Sequence, residues 1–234
     1  MRLDFSPVEF ARLAEEQGLT EAQIQSVGIV FEHLQQKKIE ITIHTLLKIS
    51  QLPLKDRKTF DNFDFSVIKG RDATKLKTLP SLSAIYAHRN LAFIGPAWTG
   101  KTHLAQAFGY ECCQSGIKTC FIKMSELREK FTAARRAGKE TSILDGLVRP
   151  SCLIIDEVGH CEFDKKNTRL FFDLIDRRYN KEGNFNIVFT SNNLLIGEVT
   201  SMRITRCCVP WTGFLMMPRY QLRAKASGAR HWRP

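Results

Sequence analysis

The segment with the clearest chemical meaning is the run Gly95 to Thr102, which reads GPAWTGKT. It follows a predicted strand and opens a predicted helix, the setting in which the pattern G-x-x-x-x-G-K-[ST] binds phosphate. Loop N–H groups converge on phosphate oxygens, and the helix N-terminus adds partial positive charge. We therefore predict an ATP site, with Lys101 on the β- and γ-phosphates and the Thr102 hydroxyl on Mg²⁺. The residues expected to contact the nucleotide are Gly95, Pro96, Ala97, Trp98, Thr99, Gly100, Lys101, Thr102 and His103.

Polar side chains end two later apolar runs. Asp156 and Glu157 close the run CLIIDE, and Asn192 follows the run IVFTS. Ligands of parallel α/β sheets bind at the carboxyl ends of strands. We expect Asp156 to orient Mg²⁺ through its water shell, together with Thr102. The predicted catalytic residues are Lys101, Glu157, which would polarise the attacking water, and Asn192, which would orient it. Taken alone, the run CLIIDE is equally well explained by a solvated acidic turn, and the alternative for Asn192 is a simple strand-to-loop cap.

Short apolar runs and longer helical patterns alternate between residues 91 and 193. This alternation predicts an α/β fold with a parallel sheet covered by helices on both faces. The predicted strands are Leu91–Ile94, Thr119–Ile122, Cys152–Ile155 and Ile187–Thr190, and the predicted helices are 101–114, 125–137, 141–147 and 166–181.

The region before this core has a helical pattern. We predict one helix from the capping box at Ser6, ending near Gly18, a second from Thr20 to Leu34, and a third from Ile39 to Leu52. Segment 56–67 has the composition of a linker, and its phenylalanines, Phe60, Phe63 and Phe65, are expected to dock onto a neighbouring domain. Residues 71–87 are predicted to be helical, with an interruption at Pro80.

Composition excludes several classes of protein. Hydrophobic residues make up 43% and charged residues 25% of the chain, as in globular proteins, and there is no 18-residue apolar stretch for a membrane span. Seven cysteines without metal-ligand spacing, and a first segment without a secretory pattern, favour the cytoplasm. The net charge is +11, of which residues 194–234 carry +6, from 7 basic and 1 acidic residue. A basic chain of this kind could bind nucleic acid.

Five segments, taken together and in order, resemble one family. They are FDNFDFS (60–66), NLAFIGPAWTGKTHLAQAFG (90–109), CLIIDEVG (152–159), LFFDLIDRRYN (170–180) and FTSNN (189–193). They are similar to IstB, the AAA+ ATPase helper of bacterial insertion-sequence transposition, which is related to the helicase loader DnaC. The resemblance implies a P-loop NTPase core of the AAA+ type over residues 58–193. It also implies a small helical region over residues 1–57 that binds DNA or a partner.

The resemblance also implies roles and partners. Lys101, Thr102, Asp156 and Glu157 would form the ATP site, and Asn192 would be the sensor residue. The family assembles into oligomers on DNA with ATP and delivers target DNA to a transposase. The stretch Lys130 to Lys139 is a candidate DNA-facing patch, although a solvated helix face is the more common reading of such a stretch.

Two departures from the family pattern keep alternatives open. Trp98 stands where relatives have glycine, and a left-handed backbone there would cost about 1–2 kcal/mol. After Asn193 the pattern gives way to an atypical basic tail, 194–234, without the family's arginine-finger pair. Our hypothesis is that this tail is translated out of frame. Whether ATP is hydrolysed therefore stays open. The alternatives are a non-catalytic nucleotide-binding remnant or adaptor, and a DnaC-like helicase loader.

Overall fold

The computed structural model describes residues 7–67, 76–95, 97–181, 183 and 185–192. The chain divides into two compact units, residues 1–44 and 45–234. The tail 194–234, on which the out-of-frame interpretation rests, lies outside the described residues, as does Pro96 of the phosphate loop.

The N-terminal unit is built from helix α1 (Pro7–Glu16) and most of helix α2 (Glu21–Ile49). Proline opens α1 as expected, and the Thr20 N–H donates to Gln23 Oε1 at 2.8 Å just before α2. The prediction of two helices, Thr20–Leu34 and Ile39–Leu52, is wrong because α2 runs through the gap between them. Residues 35–38 read QQKK, and glutamine and lysine both have favourable helix propensities, so nothing in this segment ends the helix.

In the described residues between α2 and the sheet, the chain forms short helical turns. Phe65–Val67 and Leu79–Ser81 are 3₁₀ turns, and Ser83–Tyr86 is a single α-helical turn, α3. The predicted helix over 71–87 is therefore fragmented within its described part. Leu82 explains one break, because its φ of 52° lies in the left-handed region, where a right-handed helix cannot continue.

The sheet of the second unit has four strands in the order β1-β4-β3-β2, all parallel. Its elements are β1 (Leu91–Ile94), α4 (Lys101–Gln114), β2 (Thr119–Lys123), α5 (Met124–Arg136), α6 (Glu140–Val148), β3 (Cys152–Asp156), α7 (Lys165–Tyr179) and β4 (Asn186–Ser191). This confirms the predicted α/β class. Because the strands are parallel, their carboxyl ends meet at one edge of the sheet, and register pairs Lys123 with Asp156 and Ile94 with Ser191 there.

Helix α4 is the most deeply buried helix of this unit by its side chains. Phe108 and Cys112 on α4 are fully buried, as are Leu127 and Phe131 on α5. Burial of this apolar surface contributes about 25 cal/mol per Å² and fixes where each strand ends relative to its neighbours. The positions of the polar residues at the strand ends follow from this packing.

Cys112, Cys120 and Cys152 pack as small apolar residues. All three are buried and reduced. Cys113, also buried, has its thiol pKa raised to about 11, first because burial disfavours the thiolate. Among the described residues, no helix is long and apolar enough to cross a membrane.

Candidate functional site

The phosphate loop connects β1 to α4 at the carboxyl edge of the sheet. The Gly95 N–H donates to the Ser191 carbonyl at 3.1 Å, which fixes the start of the loop to β4. Gly100, at φ 84°, is the N-cap of α4 and offers no side chain to the first helical N–H groups. A helix start capped by glycine in this way matches other phosphate-binding helix N-termini.

Lys101 turns inward from the first position of α4. Its side chain is buried, and Nζ donates to Thr99 Oγ1 at 3.2 Å. Burial lowers the pKa of the Lys101 ammonium, while the nearby carboxylate of Asp156 acts in the opposite direction. A phosphate next to this ammonium would replace lost hydration, which is the electrostatic condition for tight anion binding.

Trp98 has the left-handed backbone considered in the sequence analysis, with φ 64°. Its indole is 100% exposed, so the ring projects into solvent and does not fill the loop. The cost of the residue is therefore the backbone strain, about 1–2 kcal/mol, and not occupation of the space inside the loop.

Asp156 is the buried acid of the site, with no exposed surface. Its Oδ1 accepts the hydroxyl of Thr102 at 2.9 Å and the hydroxyl of Thr190 at 2.5 Å. Its Oδ2 is buried and has no hydrogen-bond partner among the described residues. A buried carboxylate oxygen left unsatisfied is costly, and a hard cation or its bound water would satisfy it. The set of one carboxylate and one threonine hydroxyl therefore fits Mg²⁺.

Glu157 follows directly, with φ 61°, at the turn after β3. Its N–H donates to Thr190 Oγ1 at 2.9 Å, so one hydroxyl contacts both acids. Its carboxylate lies 3.9 Å from Lys123 Nζ, and both side chains are about 40% exposed. The carboxylate is thus open to solvent, as a group that acts on water must be, and is held by an ion pair.

Two other predicted residues follow β4 and the phosphate loop. Asn192 follows β4 and is exposed. His103 lies in the first turn of α4, but its ring points to the preceding segment, with Nε2 2.8 Å from the Thr59 carbonyl. The nucleotide and sensor roles of these two residues stay predictions.

The basic stretch Lys130–Lys139 spans the end of α5 and the following turn. Part of its charge is engaged within the protein: Lys130 Nζ donates to Gln51, and Arg135 pairs with Asp164 at 2.7 Å. Arg136 is exposed, as is Lys139 at the end of the stretch. The DNA-facing role of the stretch stays a prediction.

Thr190 and Lys123 were not predicted as site residues. Each lies at or next to the carboxyl end of a predicted strand, and a parallel sheet brings such ends together. The signal that could have found Thr190 is its place one residue before the edge in β4, next to β3 and its terminal Asp156. Lys123 is paired in register with Asp156, but only the strand order reveals that.

Comparison with known proteins agrees with the geometry. The sequence pattern of the family described as IstB-like ATP binding protein matches residues 8–201. A protein of insertion sequence IS5376 from Geobacillus stearothermophilus, named for ATP binding, is 39% identical over 151 residues, which is 64% of this chain and 58% of that protein. The corresponding protein of IS21 from Pseudomonas aeruginosa is 32% identical over 146 residues, 62% of this chain and 53% of that protein. The chain thus spans little more than half the length of these relatives.

Solved structures share the fold of the core. DnaA from Aquifex aeolicus bound to AMPPCP superposes with a TM-score of 0.55 at 19% identity, over 67% of this chain and 48% of that one. The DnaC helicase loader superposes with a TM-score of 0.51 at 22% identity, over 63% of this chain and 86% of that one. The phosphate loop, the buried acid at the end of β3, the parallel sheet and the family match together establish that this chain belongs to the IstB-like ATP-binding proteins, with a core of the AAA+ P-loop fold.

Proposed function

We propose that this chain binds Mg·ATP at the carboxyl edge of its sheet and acts as the ATP-dependent DNA-binding helper of a transposase. The single observation that carries the nucleotide part is the Asp156 cluster. A fully buried carboxylate receives two threonine hydroxyls, keeps one oxygen unsatisfied, and acts on the pKa of the buried Lys101. Such an arrangement is unfavourable without a ligand that brings both a cation and an anion, and Mg·ATP brings both.

Each residue then has a definite task. Lys101 and the N-terminus of α4 would hold the phosphates, while Thr102 and Asp156 would hold the cation, which would supply neutralisation of charge on the transferred phosphoryl group. Glu157 follows Asp156 directly, with its carboxylate in solvent contact, and would orient and polarise a water molecule. Asn192 is proposed as the sensor at the end of the neighbouring strand.

The DNA and transposase parts rest on the family. The relatives are named for insertion sequences, which supports a role in DNA transposition. Charge supports the DNA part, since the chain carries +11 and exposes Arg136 and Lys139 near one another in sequence. We propose residues 1–57 as the helical region that binds DNA or the transposase, residues 58–193 as the ATP-binding core, and self-association on DNA as the assembled form.

The first test is titration of the protein with a fluorescent ATP analogue in the presence and absence of Mg²⁺. Trp98→Gly is the informative variant because it removes the left-handed strain and the indole together. We expect both proteins to bind with similar affinity, because the left-handed backbone is already present without ligand and relief of its strain stabilises the free and bound states alike. Failure of both folded proteins to bind would contradict the proposed nucleotide site.

The second test separates an ATPase from a non-catalytic nucleotide-binding adaptor, the alternative that the strained Trp98 favours. Phosphate release is measured with and without duplex DNA, alongside anisotropy of a labelled duplex. We expect DNA binding to weaken steeply as the salt concentration rises. The double variant Arg136→Gln, Lys139→Gln is expected to bind DNA more weakly than the unmodified chain at the same salt concentration. Lys77→Gln, which changes another exposed lysine, is the control. Nucleotide binding without turnover in either condition would favour the adaptor.

A helicase loader is the third reading, and the shared fold does not separate it from a transposition helper. The discriminating measurement is pull-down of the purified chain against a transposase and against a replicative helicase, each with ATP. Selective retention of the helicase would overturn the transposition role while leaving the nucleotide site unaffected.

A further inference from the structure

The segment just before the core, residues 59–65, packs against the phosphate loop, and we name it the aromatic strap. Its shape is fixed internally. Asn62 Oδ1 accepts the Thr59 N–H at 2.8 Å, and Asn62 Nδ2 donates to the Arg57 carbonyl at 2.8 Å. The rings of Phe63 and Phe65 meet edge to face at 4.9 Å, and Phe60 is buried. The strap therefore presents Phe63 in a defined position.

Phe63 occupies the space that a side chain at Gly100 would need. A Cβ built on Gly100 would lie 2.6 Å from Cε2 of Phe63, which is far inside van der Waals contact. Gly100 holds φ 84°, a conformation open to glycine, and glycine is also the residue with the most backbone freedom. The phenyl ring in contact with Gly100 therefore limits that freedom at the residue where the loop becomes helix.

His103 joins the strap to α4 from the other side. Because a carbonyl oxygen can only accept, His103 Nε2–H donates to the Thr59 carbonyl, across 2.8 Å. The same ring meets Phe63 edge to face, with centroids 5.0 Å apart. His103 is the third residue of α4, so it lies in the helical turn that follows the phosphate loop while its side chain holds the strap.

We propose that His103 and Phe63 are positioning residues that hold the phosphate loop in its binding-competent form, without contacting the nucleotide through their side chains. The proposal rests on the proposed function, namely that the loop binds ATP phosphates. Preorganised N–H groups bind an anion more tightly because less conformational freedom is lost on binding. Release of the strap frees Gly100, so the loop samples other conformations and the apparent affinity falls by the fraction of time spent in them.

The experiment uses the full chain and three variants. His103→Leu removes the hydrogen-bond donor but keeps apolar bulk against Phe63, whereas His103→Gln keeps an N–H donor at the same distance from the backbone. Phe63→Leu leaves a smaller, non-aromatic group against Gly100. His33→Leu, an exposed histidine of α2, is the matched control. Two quantities are measured: the Kd for a fluorescent ATP analogue with Mg²⁺, and hydrogen exchange of residues 97–104 in the unliganded protein.

We expect His103→Leu to weaken nucleotide binding by about fivefold to tenfold, the size of one net hydrogen bond. Exchange of residues 97–104 would rise by a similar factor. His103→Gln is expected to restore both quantities to within about twofold of the wild type, which a role in bulk packing alone would not produce. Phe63→Leu is expected to raise the exchange of the same residues, and it keeps the proposal testable if His103→Leu fails to fold.

The outcomes separate the two hypotheses. If the unmodified chain binds no nucleotide, the proposed function fails, and the exchange data still decide whether the strap orders the loop. If the chain binds nucleotide and His103→Leu matches it in both affinity and exchange, the positioning role is overturned alone. Equal loss in His103→Gln and His103→Leu would also overturn it, because the donor would then be irrelevant.

Discussion

The two ends of the sheet each bury a charged side chain, and they satisfy it in different ways. Asp156 ends β3 at the carboxyl edge, and its partners are the hydroxyls of Thr102 and Thr190. Arg178, on α7, is buried at the opposite edge, where its Nη atoms donate to backbone oxygens. These acceptors are the carbonyls of Leu147, Val148, Pro150, Ser151 and Asn186.

Backbone carbonyls and threonine hydroxyls differ in whether they can change hydrogen-bond partners. A backbone carbonyl is fixed by the fold, so the guanidinium of Arg178 joins α7 to the chain around β3 and β4 permanently. Burial lowers the pKa of that group to about 10, still far above neutrality, so it stays charged. A threonine hydroxyl can rotate and take another partner. The hydrogen-bond partners of Asp156 can therefore turn to a ligand, whereas those of Arg178 cannot. This difference distinguishes the buried charge of a ligand site from a buried charge that only stabilises the fold.

The largest expected effect is on stability, at the edge of the sheet where Arg178 is buried. Arg178→Met removes the donor from several buried carbonyls at once, and we expect a loss of about 4 kcal/mol or more in the free energy of unfolding. Urea unfolding followed by circular dichroism measures it. Arg177→Met is the matched control, because that neighbour makes only partly exposed ion pairs with Asp145 and Asp173, worth up to about 1 kcal/mol. Similar losses in both variants would contradict the comparison.

The next largest expected effect is on nucleotide binding, at the carboxyl edge of the sheet. We expect Lys101→Met to weaken Mg·ATP binding by about tenfold to a hundredfold, the worth of a charged hydrogen bond, without loss of stability. Because burial lowers the pKa of this ammonium below 10.5, the affinity of the unmodified chain is expected to fall as pH rises through the alkaline range below that value. The variant has no such group to titrate. A pH series of nucleotide titrations checks both points, and an equal alkaline decline in the variant would assign the titration elsewhere.

Asp156→Asn tests the role of the buried carboxylate at this edge, since it keeps the shape of the side chain and removes its charge. We expect ATP binding to lose its dependence on Mg²⁺, with the affinity in Mg²⁺ falling by about tenfold. The unliganded protein should be at least as stable as before, because a buried carboxylate with an unsatisfied oxygen has been neutralised. Asp145→Asn is the control. Marked unfolding of the Asp156 variant would show that its role is structural, like that of Arg178.

The smallest effect concerns Glu157. Its ion pair with Lys123 is long and about 40% exposed on both sides, so it holds the carboxylate by no more than about 1 kcal/mol. If the chain hydrolyses ATP, Lys123→Met frees the carboxylate, and we expect turnover to rise up to about fivefold with unchanged nucleotide affinity. Steady-state phosphate release measures this. A fall in turnover would show that Lys123 helps the reaction instead of restraining its base.

The sequence predicted the core better than the region before it, for physical reasons. Strands such as Leu91–Ile94 are short apolar runs between polar turns, and their bounds match to within a residue. Helix α2 was predicted as two helices, yet no residue in the predicted gap breaks a helix. Arg178 was missed although it falls on the buried face of α7, one turn after Leu174. A charged residue at an apolar position of a helix is the signal that would have found it.

Packing between distant segments was the least predictable part. The composition of segment 56–67 indicated aromatic docking, and Phe63 does contact Gly100 and His103. Which surface receives the rings depends on the path of the chain in three dimensions. The same holds for Thr190, whose neighbour Asp156 is 34 residues away in sequence.

Thr190 connects two parts of the chemistry through a single oxygen atom. Its hydroxyl proton goes to Asp156, while its lone pair receives the N–H of Glu157. The two bonds run in one direction, from amide to hydroxyl to carboxylate, so the hydroxyl that donates to Asp156 becomes a better acceptor for the Glu157 N–H. One side chain therefore joins the buried acid to the left-handed turn that carries the exposed one, and Thr190→Val would remove both bonds while keeping the shape.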